Sequence, residues 1–192
     1  GKAEPYCRRA VEVGRSGLDA KDPDLGYALH ALALVHHGQD RWNEAEPLYR
    51  EALGIAIENH GAAHSDVATI MNNLADVLDQ KGEWDESEEL YRTALDIRER
   101  VYGPIHPDVA LTLNNLALVL RNNGKFDEIE ALLDRALEIR VEAFGREHPA
   151  VAVALNNLAG YHYDLRRYAR AEGRDLGDQR LDLLHALHAA SV

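Results

Sequence analysis

Apolar residues recur along this chain at offsets of three and four. Between Val109 and Ala150, the residues Leu113, Leu116, Ala117 and Leu120 fall on one helical face. The same pattern returns 42 residues earlier and 42 residues later, so that Leu25, Val67, Val109 and Val151 are equivalent. The stretches MNNLA from Met71, LNNLA from Leu113 and LNNLA from Leu155 sit in the same register. A fixed period of this length predicts stacked supersecondary units rather than a closed globule. Each unit is expected to hold a first helix, A, and a second helix, B. Ala33, Ala75, Ala117 and Ala159 mark the place on helix A where two helices approach closely.

Breaker residues punctuate the pattern. Asp22-Pro23-Asp24, His64-Ser65-Asp66, His106-Pro107-Asp108 and His148-Pro149-Ala150 share one slot and open each helix A. Polar turns follow at 37–40, 80–82 and 122–125, with glycine expected at positive φ. One aromatic then opens each helix B: Trp42, Trp84, Phe126 and Tyr168. Helix B ends before Gly61, Gly103 or Gly145. Arg98 and Arg140 lie near those ends, where the helix dipole favours cations. The expected organisation is the second helix of a truncated repeat at 1–20 and full repeats at 21–66, 67–108 and 109–150. Residues 151–172 are expected to hold the first helix and the start of the second helix of a fourth repeat. At 173–192 the pattern fails, with Gly173, Gly177, Asp175 and Asp178, and a divergent tail or capping helix is expected around Leu181, Leu183, Leu184 and Leu187. Ala3 to Val13 aligns with Ala45 to Ile55, so the chain reads as a segment of a longer array whose terminal repeats are open to self-association.

Charge narrows the partners. The formal net charge is −12 with His neutral. Such a surface repels phosphate backbones, so neither nucleic acid nor an anionic membrane is an expected partner. No apolar run has membrane-spanning length. The single cysteine, Cys7, excludes an internal disulfide, and a cytoplasmic setting is expected.

Candidate chemistry is sparse. Cys7 occupies the slot of Tyr49 and Tyr91 and is expected in the core. There is no phosphate-binding glycine loop and no nucleophile elbow, so no enzyme activity and no cofactor are expected. His64, His106 and His148 recur once per unit, too far apart to converge on one metal ion, and are assigned to helix starts. No metal is expected at His60 and His64, or at His185 and His188. The carboxylate run Asp85 to Glu89 opens a helix B, either as a solvated face or as an acidic surface for a basic partner.

The small residue in helix A, the aromatic opening helix B and the alanines within B resemble tetratricopeptide repeats. The 42-residue length, the NNLA core and the HPD/HPA turn are similar to the kinesin-light-chain type. The resemblance implies an all-α, right-handed superhelical solenoid of antiparallel helix pairs, with helix A lining the concave face. It implies a non-catalytic protein-interaction scaffold that binds a peptide or helix in that groove. A structural or oligomerising spacer within a larger multidomain protein is the alternative. Carried over by position, the groove residues are Tyr27, His30, Asn72, Asp76, Asp79, Asn114, Leu118, Arg121, Asn156 and Tyr163, with Leu34, His37, Gly160 and Asp164 nearby. An asparagine amide both donates and accepts, which matches peptide backbone. The alternative to a peptide clamp is that the asparagines only bond neighbouring helices. Because Asp76, Asp79 and Asp164 stand against Arg121, the implied peptide ligand is not acidic.

Overall fold

The computed structural model describes residues 2–171, with side chains to residue 166. The described helices are α1 (Glu4–Gly17), α2 (Pro23–His37), α3 (Trp42–His60), α4 (Ser65–Lys81), α5 (Trp84–Tyr102), α6 (Pro107–Asn122), α7 (Ile129–Phe144) and α8 (Pro149–Ala171). Each helix packs chiefly on its chain neighbours, α2 on α3, α4 on α5 and α6 on α7, and each pair then stacks on the next. The architecture is an all-α right-handed solenoid of antiparallel helix pairs.

The repeated slots act as helix starts. Asp22 accepts a hydrogen bond from the Asp24 N–H at 2.8 Å. The Nδ1 atoms of His64, His106 and His148 accept from the N–H of Asp66, Asp108 and Ala150 at 3.2, 3.2 and 3.1 Å. Each bond satisfies an N–H that the helix itself leaves open. A ring four residues earlier stacks on each capping imidazole. His60 lies 4.7 Å from His64, Tyr102 4.3 Å from His106 and Phe144 4.6 Å from His148, between ring centroids. The B helices stop where Gly61, Gly103 and Gly145 take φ between +81° and +84°, a region costly for any side chain.

Several local expectations need correction. Gly38 has φ −68°, and Asp40, at φ 57°, takes the left-handed position in the first turn instead. Aspartate is one of the few non-glycine residues that tolerates it. Phe126 does not open its helix, since α7 begins three residues later at Ile129. α8 runs unbroken through the place where earlier units turn, so residues 151–172 do not divide into a first helix and the start of a second. The physical reason is local: Leu165, Arg166 and Arg167 stand where the other units carry glycine-containing turns. Ala159 is exposed, whereas Ala33, Ala75 and Ala117 are buried, and among the described residues no second helix follows α8. Arg98 and Arg140, near their helix ends, are buried, which the sequence reading does not address. The side chain of Tyr168, and the expected cap with Leu181, Leu183, Leu184 and Leu187, lie outside the described residues.

The core is continuous along the stack. Leu29, Tyr49, Leu74, Leu78, Tyr91, Leu113, Leu116 and Leu120 are fully or almost fully buried. Leu116 belongs to a buried cluster with Ala75, Tyr91, Leu133 and Leu158, a cluster that spans three units. Cys7 is half-buried against the first core cluster. Leu116→Ala should therefore cost about 2–5 kcal/mol, from lost burial and the cavity left behind. Urea unfolding measures this. A loss under about 0.5 kcal/mol, typical of surface positions, would contradict the register of α6.

Candidate functional site

The inner face of the array is built by α2, α4, α6 and α8, which approach one another directly along the stack. Polar contacts join these helices at a recurring offset of about one unit. The Asn73 amide donates to His30 Nε2 at 3.1 Å. Asn157 donates to Asn114 Oδ1 at 2.7 Å. Asn122 donates to both carboxylate oxygens of Asp79, at 2.8 and 3.1 Å, and Arg121 lies 3.6 Å from Asp164. A separate bridge runs from the Tyr49 hydroxyl to His37 Nδ1 at 3.1 Å and from His37 Nε2 to Asp76 at 3.0 Å.

These contacts revise the expected asparagine row. Asn72 and Asn114 are only 6% and 7% exposed. Asn114 spends its amide N–H on the Ala110 carbonyl at 2.7 Å and its oxygen on Asn157, so both halves are engaged within the protein. Asn72 Oδ1 is buried without a partner. Asp79 is also buried. Of the ten expected groove residues, Tyr27, Leu118, Asn156 and Tyr163 face solvent, while His30, Asp76 and Arg121 are half-buried. The structure brings Asn114, Leu118 and Arg121 together with Asn115, Asn157 and Tyr161 around one cleft of about 150 Å³. Tyr27 and His30 border a second cleft, between α2, α3 and α4.

Exposed apolar side chains dominate what remains open. Tyr27 is 52% exposed, Leu34 45% and Leu118 39%. Leu111 and Val153 are also exposed and share the register of Tyr27. Both were absent from the expected set. The signal was there, since three of the four residues at this position are large and apolar although the position lies off the buried face.

Burial sets the charge states inside the face. It pushes the His30 imidazole down, against a smaller upward pull from Asp66, so the ring favours its neutral form. Burial pushes the Asp79 carboxyl up. The Asn122 hydrogen bond opposes this, the Asp76 charge reinforces it and Arg121 weakens it. Tyr49 and Tyr91 are pushed up, first by burial and then by the nearby aspartates.

The outer face carries ion pairs instead. Arg50 bonds Glu46 at 2.7 Å and Glu86 at 2.7 and 2.9 Å. One unit on, Arg92 bonds Glu88 at 2.9 Å and Glu128 at 2.9 and 3.2 Å. Lys125 reaches Asp85 at 3.0 Å and Glu88 at 2.7 Å. The carboxylates of the run from Asp85 that carry these bonds are therefore not a bare acidic patch. Exposed pairs of this kind each contribute little to stability.

Asp79 supplies a pH test. Its folded pKa is raised above the unfolded value, so the folded protein binds the proton more readily. Its contribution is fully present below the unfolded pKa and is lost as pH rises through the folded one. Asp79→Asn should remove that loss and keep the acceptor for Asn122. Melting temperatures compared across the acidic range should show the variant gaining on the parent as pH rises toward neutrality. A constant difference at every pH would contradict the burial argument.

The tetratricopeptide repeat family model matches residues 1–58, 66–121 and 108–174. Among solved structures, a Podosopora anserina protein assigned as a kinesin light chain with nearly identical TPR-like repeats superposes with a TM-score of 0.78 at 20% identity, over 99% of this chain and 87% of that one. A point variant of that protein gives 0.79, with the same identity and coverage. BtubC (BKLC) from P. vanneervenii superposes with a TM-score of 0.77 at 28% identity, over 99% of this chain and 73% of that one. No curated protein sequence matches the chain.

Proposed function

The chain belongs to the tetratricopeptide-repeat family, and from that premise we propose that it is a scaffold that binds an extended peptide or a helix along the inner face of α2, α4, α6 and α8. Tetratricopeptide repeats are generally protein–protein interaction scaffolds, and this repeat fold is typically non-catalytic. The carrying observation is the run of exposed apolar side chains on that face, Tyr27, Leu34, Leu111, Leu118 and Val153, next to two clefts. An apolar strip rimmed by polar residues is a usual mark of a binding surface. Anchoring comes from these side chains, and Asn73, Asn122 and the Asn114–Asn157 pair hold the helices that display them.

The ligand is neutral or basic. Asp76, Asp79 and Asp164 already have partners within the array, yet the chain as a whole carries a net charge of −12. That charge repels acidic segments and speeds the approach of basic ones. No helix among the described residues is long and apolar enough to cross a membrane.

Selection from a displayed peptide library tests both parts. The selected peptides should carry apolar anchors without Asp/Glu enrichment, and added salt should weaken any basic ones. Tyr27→Ala and Leu118→Asp should each weaken binding by about tenfold or more, the scale expected when a central anchor is lost, with little change in melting temperature. Enrichment of Asp/Glu-rich peptides would overturn the charge argument. Unchanged affinity in both variants would move the site off this face and leave the spacer reading in its place.

A further inference from the structure

The two following units contain something that the first lacks. Arg98, on α5, is buried and donates from Nη1 to the Asp108 carbonyl at 3.0 Å and to the Thr112 hydroxyl at 2.6 Å. Arg140, on α7, makes the equivalent bond to the Ala150 carbonyl at 3.3 Å. In each case a guanidinium from helix B fills the space beside the first turn of the next helix A. One repeat before Arg98, the same position is Ala56.

A cleft opens at that place. It measures about 100 Å³ and is bordered by Ala56, Ile55, Asp66, Ile70, Tyr27 and His30. Asp66 and Ile70 are the counterparts of Asp108 and Thr112. A single water needs only about 10–15 Å³, so this space holds a planar group of several heavy atoms. Ala52, Ile55, Ala56 and Ile70 give it aliphatic wall beside the polar Asn59, His60, Asp66 and Thr69, and a guanidinium tolerates such wall better than an ammonium because it is more weakly hydrated. The Asp108 carboxylate attracts the Arg98 cation, and Asp66 repeats that charge at the border of the cleft. His30 is held toward its neutral form and does not oppose a cation.

We propose that this cleft receives the guanidinium of an arginine side chain supplied by a ligand peptide, in the place that Arg98 and Arg140 fill in the next two units. The proposal deepens the groove reading and rests on it for the path of the peptide, since Tyr27 and His30 belong both to the inner face and to the cleft border. It names the side chain that the basic ligand presents at the first unit.

The test uses the full chain and a blocked peptide, acetyl-Gly-Ser-Arg-Ser-Gly-amide, with citrulline and lysine versions as controls. Methyl resonances of Ile55 and Ile70 report the cleft, and those of Ile97 and Ile139 report the equivalent places already occupied by Arg98 and Arg140. The arginine peptide should shift Ile55 and Ile70 saturably and leave the other two unmoved. Citrulline, which keeps the shape and loses the charge, should bind about tenfold more weakly. Ala56→Arg should abolish the shifts by filling the cleft from within. Ala56→Leu should do so without adding charge, and it decides the matter if the arginine variant folds poorly by circular dichroism. Absence of saturable shifts up to the solubility limit, equal binding of citrulline, or shifts that persist in the folded Ala56 variants would overturn the proposal. Peptides that lose affinity with Tyr27→Ala and Leu118→Asp while leaving Ile55 and Ile70 unmoved would overturn it and spare the groove reading. Arginine binding at the cleft with no effect of Leu118→Asp, which lies away from the cleft, would do the reverse.

Discussion

The second helices α3, α5 and α7 each have to satisfy two partners, their own first helix and the first helix of the next unit. No helix pair can bury its apolar surface alone, so the stack stands on nearest-neighbour contacts. The cluster that holds Leu116 shows the result, since it gathers buried side chains from the unit before, its own unit and the unit after. The rest follows from keeping that contact in register. The capping imidazoles and the rings stacked on them set where each first helix begins. The glycines at positive φ set where each second helix stops. Between those limits the apolar positions can recur every 42 residues without drifting off the core.

Devices that are local or strictly periodic were legible in the sequence. The core leucines, the close-approach alanines, the histidine caps and the terminal glycines each act within a few residues or one repeat, and pattern alone places them. What pattern could not resolve was rotation about a helix axis. In the adjacent pair Asn72-Asn73 or Asn114-Asn115, one step turns the side chain by about 100°. That step decides whether an amide lies between helices or toward solvent. Asn114 is buried and bonded to Asn157, and Asn115 hydrogen-bonds the Tyr91 hydroxyl. Of the row that reads as a ligand clamp, Asn114 is bonded between helices, Asn72 is buried with its Oδ1 unpartnered and Asn156 faces solvent, while large apolar side chains stand open beside them. α8 departs for a different reason. A turn needs a residue that stops the helix, and Leu165-Arg166-Arg167 supplies none.

A fixed register also makes each unit a control for the others. Equivalent positions sit in equivalent surroundings, so a change of residue at one of them shows what that residue was for. Ala33, Ala75 and Ala117 are buried in units whose second helix is described, while Ala159 is exposed on α8, after which no further helix lies among the described residues. Gly26 stands where the next two units have Ala68 and Ala110. An added Cβ there would lie 2.9 Å from Ile55 Cγ2, so the first unit is packed more tightly on that flank. The same unit is more open beside Ala56, where its neighbours insert an arginine. Tight and loose places therefore lie side by side in a unit whose helices otherwise follow the common plan.

The charge distribution divides the work between the two faces. On the outer face Arg50, Arg92 and Lys125 each bridge two carboxylates, so one cation serves two anions and the ladder leaves a negative surplus. The whole chain has the same imbalance, with 33 acidic residues against 21 lysines and arginines. The resulting field belongs to the array as a whole and not to one patch. A field of that kind governs the rate at which a charged ligand arrives and how strongly salt slows it, and it contributes much less to the final affinity. Where a ligand settles, and how long it stays, must then be decided at short range. On the inner face the short-range features are the apolar side chains and the two clefts. The polar groups there are largely engaged with one another, so they add rigidity to the surface and leave recognition to shape and apolar contact.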